Sequence, residues 1–177
     1  MPRHLAVGVV LLASISSAFA LDLPTRKAGL WELKMEFQGR NLPTQLMQEC
    51  TDAATDRLMT SNFGGAPEHN CQKRDVRNSG ETITVDSVCT FGDATTTSHA
   101  VVSGDFSSAY TVQVESTRQG GRPIPGAGPG GQTHMTIVAK WLGPCVAGQK
   151  PGDVMMGNGM KMNVLDVQRM GGPSGRQ

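Results

Sequence analysis

The sequence predicts an all-β protein, mainly antiparallel, with one short helix, built as a small curled sheet, barrel or sandwich and held by two disulfides. Three observations support this prediction. Apolar and charged side chains alternate along residues 31–37, which is typical of a strand with one buried face. Six further segments are strand-like and separated by turn residues. Four cysteines, an even number, follow an N-terminal export signal.

The first twenty residues have the features of a secretory signal peptide. Arg3 provides a short cationic start, residues 5–15 form an apolar core, and Ala18-Phe19-Ala20 offers the small side chains that signal peptidase requires. The apolar run is too short to span a bilayer, so a stable membrane anchor is disfavoured. We expect a mature chain that begins at Leu21, is secreted across the inner membrane and resides in the periplasm.

Charge and length bound the class of protein. The chain has 16 Lys and Arg against 15 Asp and Glu, and loss of Arg3 with the signal leaves 15 against 15. Nucleic acids and anionic membrane surfaces need a basic excess, so neither is expected as a partner. We expect a disulfide-stapled β domain over residues 21–145 and a partly disordered tail, rich in Gly and Met, over residues 146–177.

Turn residues divide the remaining chain into its elements. After residues 31–37, strands are predicted at 42–50, 71–77, 81–90, 95–102, 106–118 and 132–142, with a weak strand at 161–167. Thr51-Asp52 predicts a helix start, a hydroxyl cap followed by an acid, for a helix over residues 53–59. Residues 119–131 hold six Gly and three Pro, which predicts a long mobile loop.

The four cysteines are predicted to form disulfides, because their spacing lacks the C-x-x-C pair usual in zinc sites. Cys71 and Cys89 flank one hairpin almost symmetrically. Placing them opposite each other also puts Asp75 and Arg77 on the apolar face, a conflict that a β-bulge would resolve. This favours Cys71–Cys89 and, by elimination, Cys50–Cys145. The pairing Cys50–Cys71 stays open as the alternative.

No residues with a catalytic signature emerge, so we expect no enzymatic activity and no cofactor. His69, His99 and His134 follow the signal, but no nucleophile motif accompanies them. Glu32 and Glu36 share a strand face as a glycosidase pair would, yet Lys34 lies between them. Charge alternation on a solvated strand explains all three residues.

The tail contains one unusual group of thioethers, at Met155, Met156, Met160 and Met162. Thioethers select Cu(I), so these four residues are weak candidates for a metal site. Met is also an adaptable apolar filler, and neither His nor Cys accompanies the group.

An ordered set of motifs resembles a known family. The set comprises Arg26-Lys27-Ala28-Gly29-Leu30-Trp31-Glu32, Cys50-Thr51 before the short acidic helix, Cys71, Ser79-Gly80, Cys89 and Trp141-Leu142-Gly143-Pro144-Cys145. It is similar to the domain-of-unknown-function family numbered 3617, a family of exported bacterial proteins. The resemblance covers residues 27–145 and implies an envelope protein of no established activity, with no catalytic residues to transfer. The loop 119–131 and the tail look like additions.

The function we expect from the sequence is binding. Alternating strands can enclose a small apolar or amphipathic ligand between the sheet and the corner at residues 51–63. The alternative is an envelope structural or protein-interaction module that displays the loop 119–131 and the tail, and Cu(I) binding is the more distant one. Trp31 and Trp141 lie on the apolar faces of the first and last clear strands, which we expect to be neighbours if the sheet closes.

Overall fold

The computed structural model describes residues 23–39, 42–61 and 70–169. The predicted signal peptide and His69 lie outside these residues. The described chain forms nine strands and two α-helices: β1 (Gly29–Gln38), β2 (Gln45–Thr51), α1 (Ala53–Ser61), β3 (Cys71–Asn78), β4 (Thr82–Phe91), β5 (Ala94–Asp105), β6 (Ala109–Gln119), β7 (Gln132–Gly143), β8 (Asp153–Met156), β9 (Lys161–Asn163) and α2 (Val164–Arg169).

The strands form one sheet in the order β3-β4-β5-β6-β7-β1-β2-β8-β9. Every neighbouring pair is antiparallel. Within the described ranges β3 and β9 are the two edges, so the sheet is open. The predicted all-β antiparallel fold is confirmed, and the sheet does not close into a barrel.

The first strand lies in the interior of this sheet. β1 pairs with β2 on one side and with β7 on the other, and Trp31 is the direct cross-strand partner of Trp141. The two Trp-bearing strands are therefore neighbours, although the sheet stays open. The reason is that the β1–β2 hairpin adds to β7 and carries β8 and β9 at its far side.

One face of the sheet carries the hydrophobic core. Trp31, Val112 and Ala139 are fully buried at its centre. The other buried members of this cluster are Leu33, Ile83, Val85, Ala100, Val102, Tyr110 and Ile137. They recur at every second residue of their strands, as the period of a pleated strand requires. The alternation visible in the sequence therefore identifies the buried face correctly.

The first helix begins at Ala53 as predicted, but its capping residue is one position later than predicted. Asp52 is the N-cap, because its Oδ1 accepts hydrogen bonds from the backbone N–H of Ala54 and Thr55 at 3.1 and 2.9 Å. The backbone and hydroxyl hydrogen bonds from Thr55 hold the pKa of Asp52 below its ordinary value. Thr51, the predicted cap, is the last residue of β2. A carboxylate satisfies the free N–H groups of a first turn as well as a hydroxyl does.

The disulfides link Cys71 to Cys89 and Cys50 to Cys145, the pairing that the hairpin register and elimination favour. Cys71 lies opposite Cys89, and the β3–β4 register then shifts before Lys73. This is the bulge that the register conflict predicts. Val76 comes to lie opposite the buried Val85, while Asp75 and Arg77 lie opposite Asp86 and Thr84.

The tail after Cys145 extends the sheet. Residues 153–156 and 161–163 form β8 and β9, and the predicted strand at 161–167 is wrong beyond Asn163. There the chain turns into α2, because the Asn163 side chain accepts a hydrogen bond from the backbone N–H of Leu165 at 3.0 Å.

The loop 119–131 ends in a short 3-10 turn at Pro129–Gly131. No helix in the described ranges has the length and hydrophobicity that a membrane crossing requires.

Candidate functional site

A polar groove of about 350 Å³ crosses strands β3 to β7. Val85 and Ala100 point into the core, so their chain neighbours Asp86 and His99 project from the opposite face. The side chains that this outer face contributes to the groove are Lys73, Asp86, Val88, Thr97, His99, Glu115, Thr117, Gln132 and His134. The groove is therefore separated from the hydrophobic core by the sheet itself.

Four of these residues form a row across four adjacent strands. Asp86 on β4 lies opposite His99 on β5, His99 lies opposite Glu115 on β6, and Glu115 lies opposite His134 on β7. Directly opposite residues in antiparallel strands project from the same face with Cβ atoms about 5 Å apart. The strand register thus produces an alternating series of two carboxylates and two imidazoles, which we call the acid–histidine row.

The acid–histidine row contains two pairs. The Nδ1–H of His99 donates to Oδ1 of Asp86 at 2.7 Å, and Nδ1 of His134 lies 3.7 Å from Oε1 of Glu115. The hydrogen bond from His99, together with the positive charge of Arg77, holds the pKa of Asp86 below its ordinary value. The side chains of His99 and His134 are both about half exposed (49 % and 48 %), so a ligand in the groove can reach them from solvent.

The chemistry of the groove suits recognition. Lys73 and Gln132 can donate hydrogen bonds to a ligand, the two carboxylates can accept them, and the threonine hydroxyls can do both. The Nδ1 atoms of both imidazoles face carboxylates, and none of the hydrogen bonds found in the described chain joins a Ser or Thr hydroxyl to either ring. In the same part of the chain, no three His, Cys, Asp or Glu side chains converge on a point where a metal ion could bind.

A second group of charges, the Arg26 clamp, is buried between the sheet and α1. Nη1 of Arg26 lies 2.8 Å from Oε2 of Glu49, Nε lies 2.5 Å from Oδ1 of Asp56, and the backbone N–H of Arg26 donates to Oδ2 of Asp56 at 2.8 Å. Nη1 also reaches the hydroxyl of Tyr110 at 3.3 Å. Burial alone would lower the pKa of Arg26, but its interactions with Tyr110, Glu49 and Asp56 raise it, so the guanidinium stays charged.

The Arg26 clamp occupies the corner where the sequence places an apolar ligand. Its donors and acceptors satisfy one another, so it joins the N-terminal segment, β2, β6 and α1. The sequence alone does not reveal it, because Arg26 beside Lys27 looks like an exposed basic pair and its partners are 23, 30 and 84 residues away. We interpret the clamp as structural.

The structure brings two of the predicted histidines together. His99 and His134, treated from sequence as isolated surface histidines, share the groove. Their acidic partners were missed, although a turn at Gly92-Asp93 already implies that Asp86 and His99 are opposite each other. Glu36 pairs with Lys34 at 2.6 Å on the exposed face of β1, which agrees with the charge alternation seen in the sequence.

Comparison with known proteins identifies a family without an assigned function. No curated protein and no solved structure matches the chain. The family described as "Protein of unknown function (DUF3617)" matches residues 26–145, that is, 120 of the 177 residues. The matched span begins at Arg26 of the clamp, ends at Cys145 of the second disulfide and leaves out β8, β9 and α2. The chain belongs to the DUF3617 family.

Proposed function

We propose that the protein is an exported, periplasmic binding module that holds a small polar ligand in the outer-face groove and does not transform it. The observation that carries this proposal is the acid–histidine row, which aligns Asp86, His99, Glu115 and His134 within one groove. The location rests on the N-terminal signal sequence and on the two disulfides, which are typical of chains that fold in oxidising compartments.

The lining of the groove selects the kind of ligand. Its volume is within the range of small-molecule sites, but every lining residue except Val88 is polar, unlike those of a typical apolar pocket. Carboxylates, imidazoles and hydroxyls in alternation favour a ligand that offers donors and acceptors at short intervals. A molecule with several hydroxyl or amino groups meets this requirement.

The interior of the domain is less suited to a ligand. Trp31, Val112 and Ala139 are fully buried in the core, and the Arg26 clamp closes the corner beside α1. An apolar ligand held between the sheet and the corner would have to displace these packed groups. The alternative, an envelope interaction module that displays its tail, is also less well supported. Residues 153–163 of the tail extend the sheet and so are not a free segment for a partner.

Native mass spectrometry of the protein exported from a bacterial host tests this proposal. We expect the wild-type protein to retain a small polar molecule that a variant carrying His99→Gln and Glu115→Gln loses. The matched control is Glu36→Gln, an exposed glutamate of β1 outside the groove lining, which should retain the molecule. A wild-type protein without any bound molecule, or a molecule that the double variant still retains, would contradict the proposal.

A further inference from the structure

A row of methionines crosses the edge of the sheet on the side of β2, β8 and β9. Met47 on β2 lies directly opposite Met156 on β8. The register of β8 and β9 pairs Val154 with Met162 and so places Met160 opposite Met156, whose backbone N–H donates to the carbonyl of Met160 at 2.8 Å. Three methionines therefore occupy consecutive positions across three neighbouring chain segments.

Strand alternation decides which other methionines share this face. Met162 is two residues from Met160 and projects from the same side, whereas Met155 is the chain neighbour of Met156 and projects from the opposite side. The structure thus removes Met155 from the four residues that the sequence suggests and adds Met47. The sequence could not reveal Met47, because its place beside Met156 depends on β8 joining β2.

Packing alone does not account for these side chains. Met47 packs against the core cluster, and Met156 is partly buried, but Met160 and Met162 are 55 % and 41 % exposed. A methionine that only fills space in a core is expected to be covered. The row therefore leads from the core to solvent and ends in two exposed methionine side chains.

The dimensions allow the sulfur atoms to meet. Neighbouring strands lie about 4.8 Å apart, so the outer two of the three segments are about 10 Å apart. A methionine side chain has three rotatable bonds and can bring its sulfur over the middle strand. Thioethers are soft ligands that favour Cu(I) over the harder divalent ions.

We propose that Met47, Met156 and Met160, with Met162 as a fourth ligand, form a binding site for Cu(I) or its analogue Ag(I). The site is independent of the outer-face groove, since its residues lie on β2, on β8, just before β9 and on β9, while the groove crosses β3 to β7. It also lies mainly outside the span shared with the family, because Met156, Met160 and Met162 follow residue 145.

A thioether has no proton to lose in this pH range, so binding should persist in mild acid. A site built from imidazole nitrogens would instead weaken at about pH 5, because protons compete with the metal for those nitrogens. The pH dependence of binding therefore distinguishes the methionine row from the groove without any substitution.

The test is a titration of the exported protein with Cu(I), kept reduced by ascorbate without oxygen, against the competing chelator bathocuproine disulfonate. We expect a single bound Cu(I) at neutral pH and at about pH 5. Met156→Leu and Met160→Leu should each weaken binding about tenfold or more, because each removes one sulfur and keeps an apolar side chain of similar volume.

The matched control is Met155→Leu, which should change the affinity less than about twofold because this sulfur is on the opposite face. Amide NMR spectra establish that the Leu variants are folded, and the ε-methyl resonances of Met47, Met156 and Met160 should shift when Ag(I) is added. Binding that is lost at about pH 5, binding that Met155→Leu weakens as much as Met156→Leu does, or no competition with the chelator would overturn the proposal.

Discussion

Trp31 on β1 and Trp141 on β7 are direct cross-strand partners, and their indoles donate hydrogen bonds to two consecutive carbonyls of the segment before β1. Nε1 of Trp31 lies 2.8 Å from the carbonyl oxygen of Lys27, and Nε1 of Trp141 lies 3.2 Å from that of Ala28. Nζ of Lys27 lies 3.5 Å above the Trp141 ring. With Arg26 buried next to it, this segment is anchored from both sides, which gives a physical reason for the Arg26-to-Glu32 motif.

The two tryptophans should differ in their contribution to stability. Trp31 is fully buried, whereas Trp141 is partly exposed. We expect Trp31→Phe to lower the free energy of unfolding by about 2–4 kcal/mol, through lost packing and a lost hydrogen bond, and Trp141→Phe by about 1 kcal/mol. Urea unfolding of the disulfide-intact proteins measures both. Equal losses in the free energy of unfolding would contradict the prediction that burial makes Trp31 the larger contributor to stability.

Gly29 is required for steric reasons. Its φ is +133°, and a Cβ atom there would lie 2.3 Å from the carbonyl oxygen of Gly143 and 2.6 Å from Nε1 of Trp141. Gly143 is a matched control, since its φ is +138° but its Cβ would have no heavy atom within 4 Å. We expect Gly143→Ala to cost about 1–3 kcal/mol for backbone strain alone, and Gly29→Ala to cost clearly more. Thermal unfolding of the two variants measures these costs, and similar melting temperatures for Gly29→Ala and Gly143→Ala would contradict the steric argument.

Replacement of Arg26 by alanine should greatly lower the free energy of unfolding. Arg26→Ala leaves the carboxylate of Asp56, which is 1 % exposed, without its cation, and such losses cost about 3–5 kcal/mol. Arg26→Lys should be only a partial rescue, because an ammonium cannot reproduce the guanidinium fork. Lys34→Ala breaks a half-exposed ion pair with Glu36 and should cost less than about 1 kcal/mol. Chemical denaturation of the three variants checks this order. If Arg26→Ala lowers the free energy of unfolding no more than Lys34→Ala does, the clamp does not stabilise the fold.

Acid should loosen the β8–β9 edge. Burial alone would raise the pKa of Asp153, but hydrogen bonds from Asn163, Lys161 and the backbone of Lys150 lower it to about 2. An unfolded Asp has a pKa of about 3.9, so this stabilisation is complete above about pH 5 and is lost as the pH falls through about 2. With allowance for solvent at Lys161, the contribution is about 1–2 kcal/mol.

Hydrogen exchange of the β8 and β9 amides between pH 5 and pH 2 measures this effect, after correction for the intrinsic rates. We expect their protection to fall in acid in the wild-type protein. Asp153→Asn should show low protection at both pH values, and Asp166→Asn, which alters an exposed pair with Arg169, should behave like the wild type. Protection in the wild type that does not change with pH would show that Asp153 carries none of this stability.

The features that could be predicted from the sequence are those governed by short-range periodicity. Alternation from Trp31 to Phe37 identifies the buried face, because a strand repeats every two residues. The conflict between the Cys71–Cys89 pairing and the charges at Asp75 and Arg77 is local to one hairpin, so the bulge could be inferred before the structure. Both predictions depend only on residues within one strand or one hairpin.

The features that were missed depend on long-range arrangement or on a local competition. Burial of Arg26 requires partners from β2, α1 and β6, and the Met47–Met156 pair requires β8 to join β2. The strand predicted over 161–167 runs into α2, where Val164 and Val167 favour β structure but the cap at Asn163 decides in favour of a helix. Such choices are made by tertiary contacts and caps that periodicity does not reveal.

The central claim, that the outer-face groove and not the interior holds the ligand, is tested most directly by NMR of the histidine imidazoles and backbone amides. The measurement compares spectra of the purified, disulfide-bonded protein before and after addition of a small-molecule extract of a bacterial periplasm. We predict that resonances of His99, His134 and Thr117 shift, while those of Trp31 and Val112 do not. Shifts confined to the interior residues, with unchanged imidazoles, would contradict the claim.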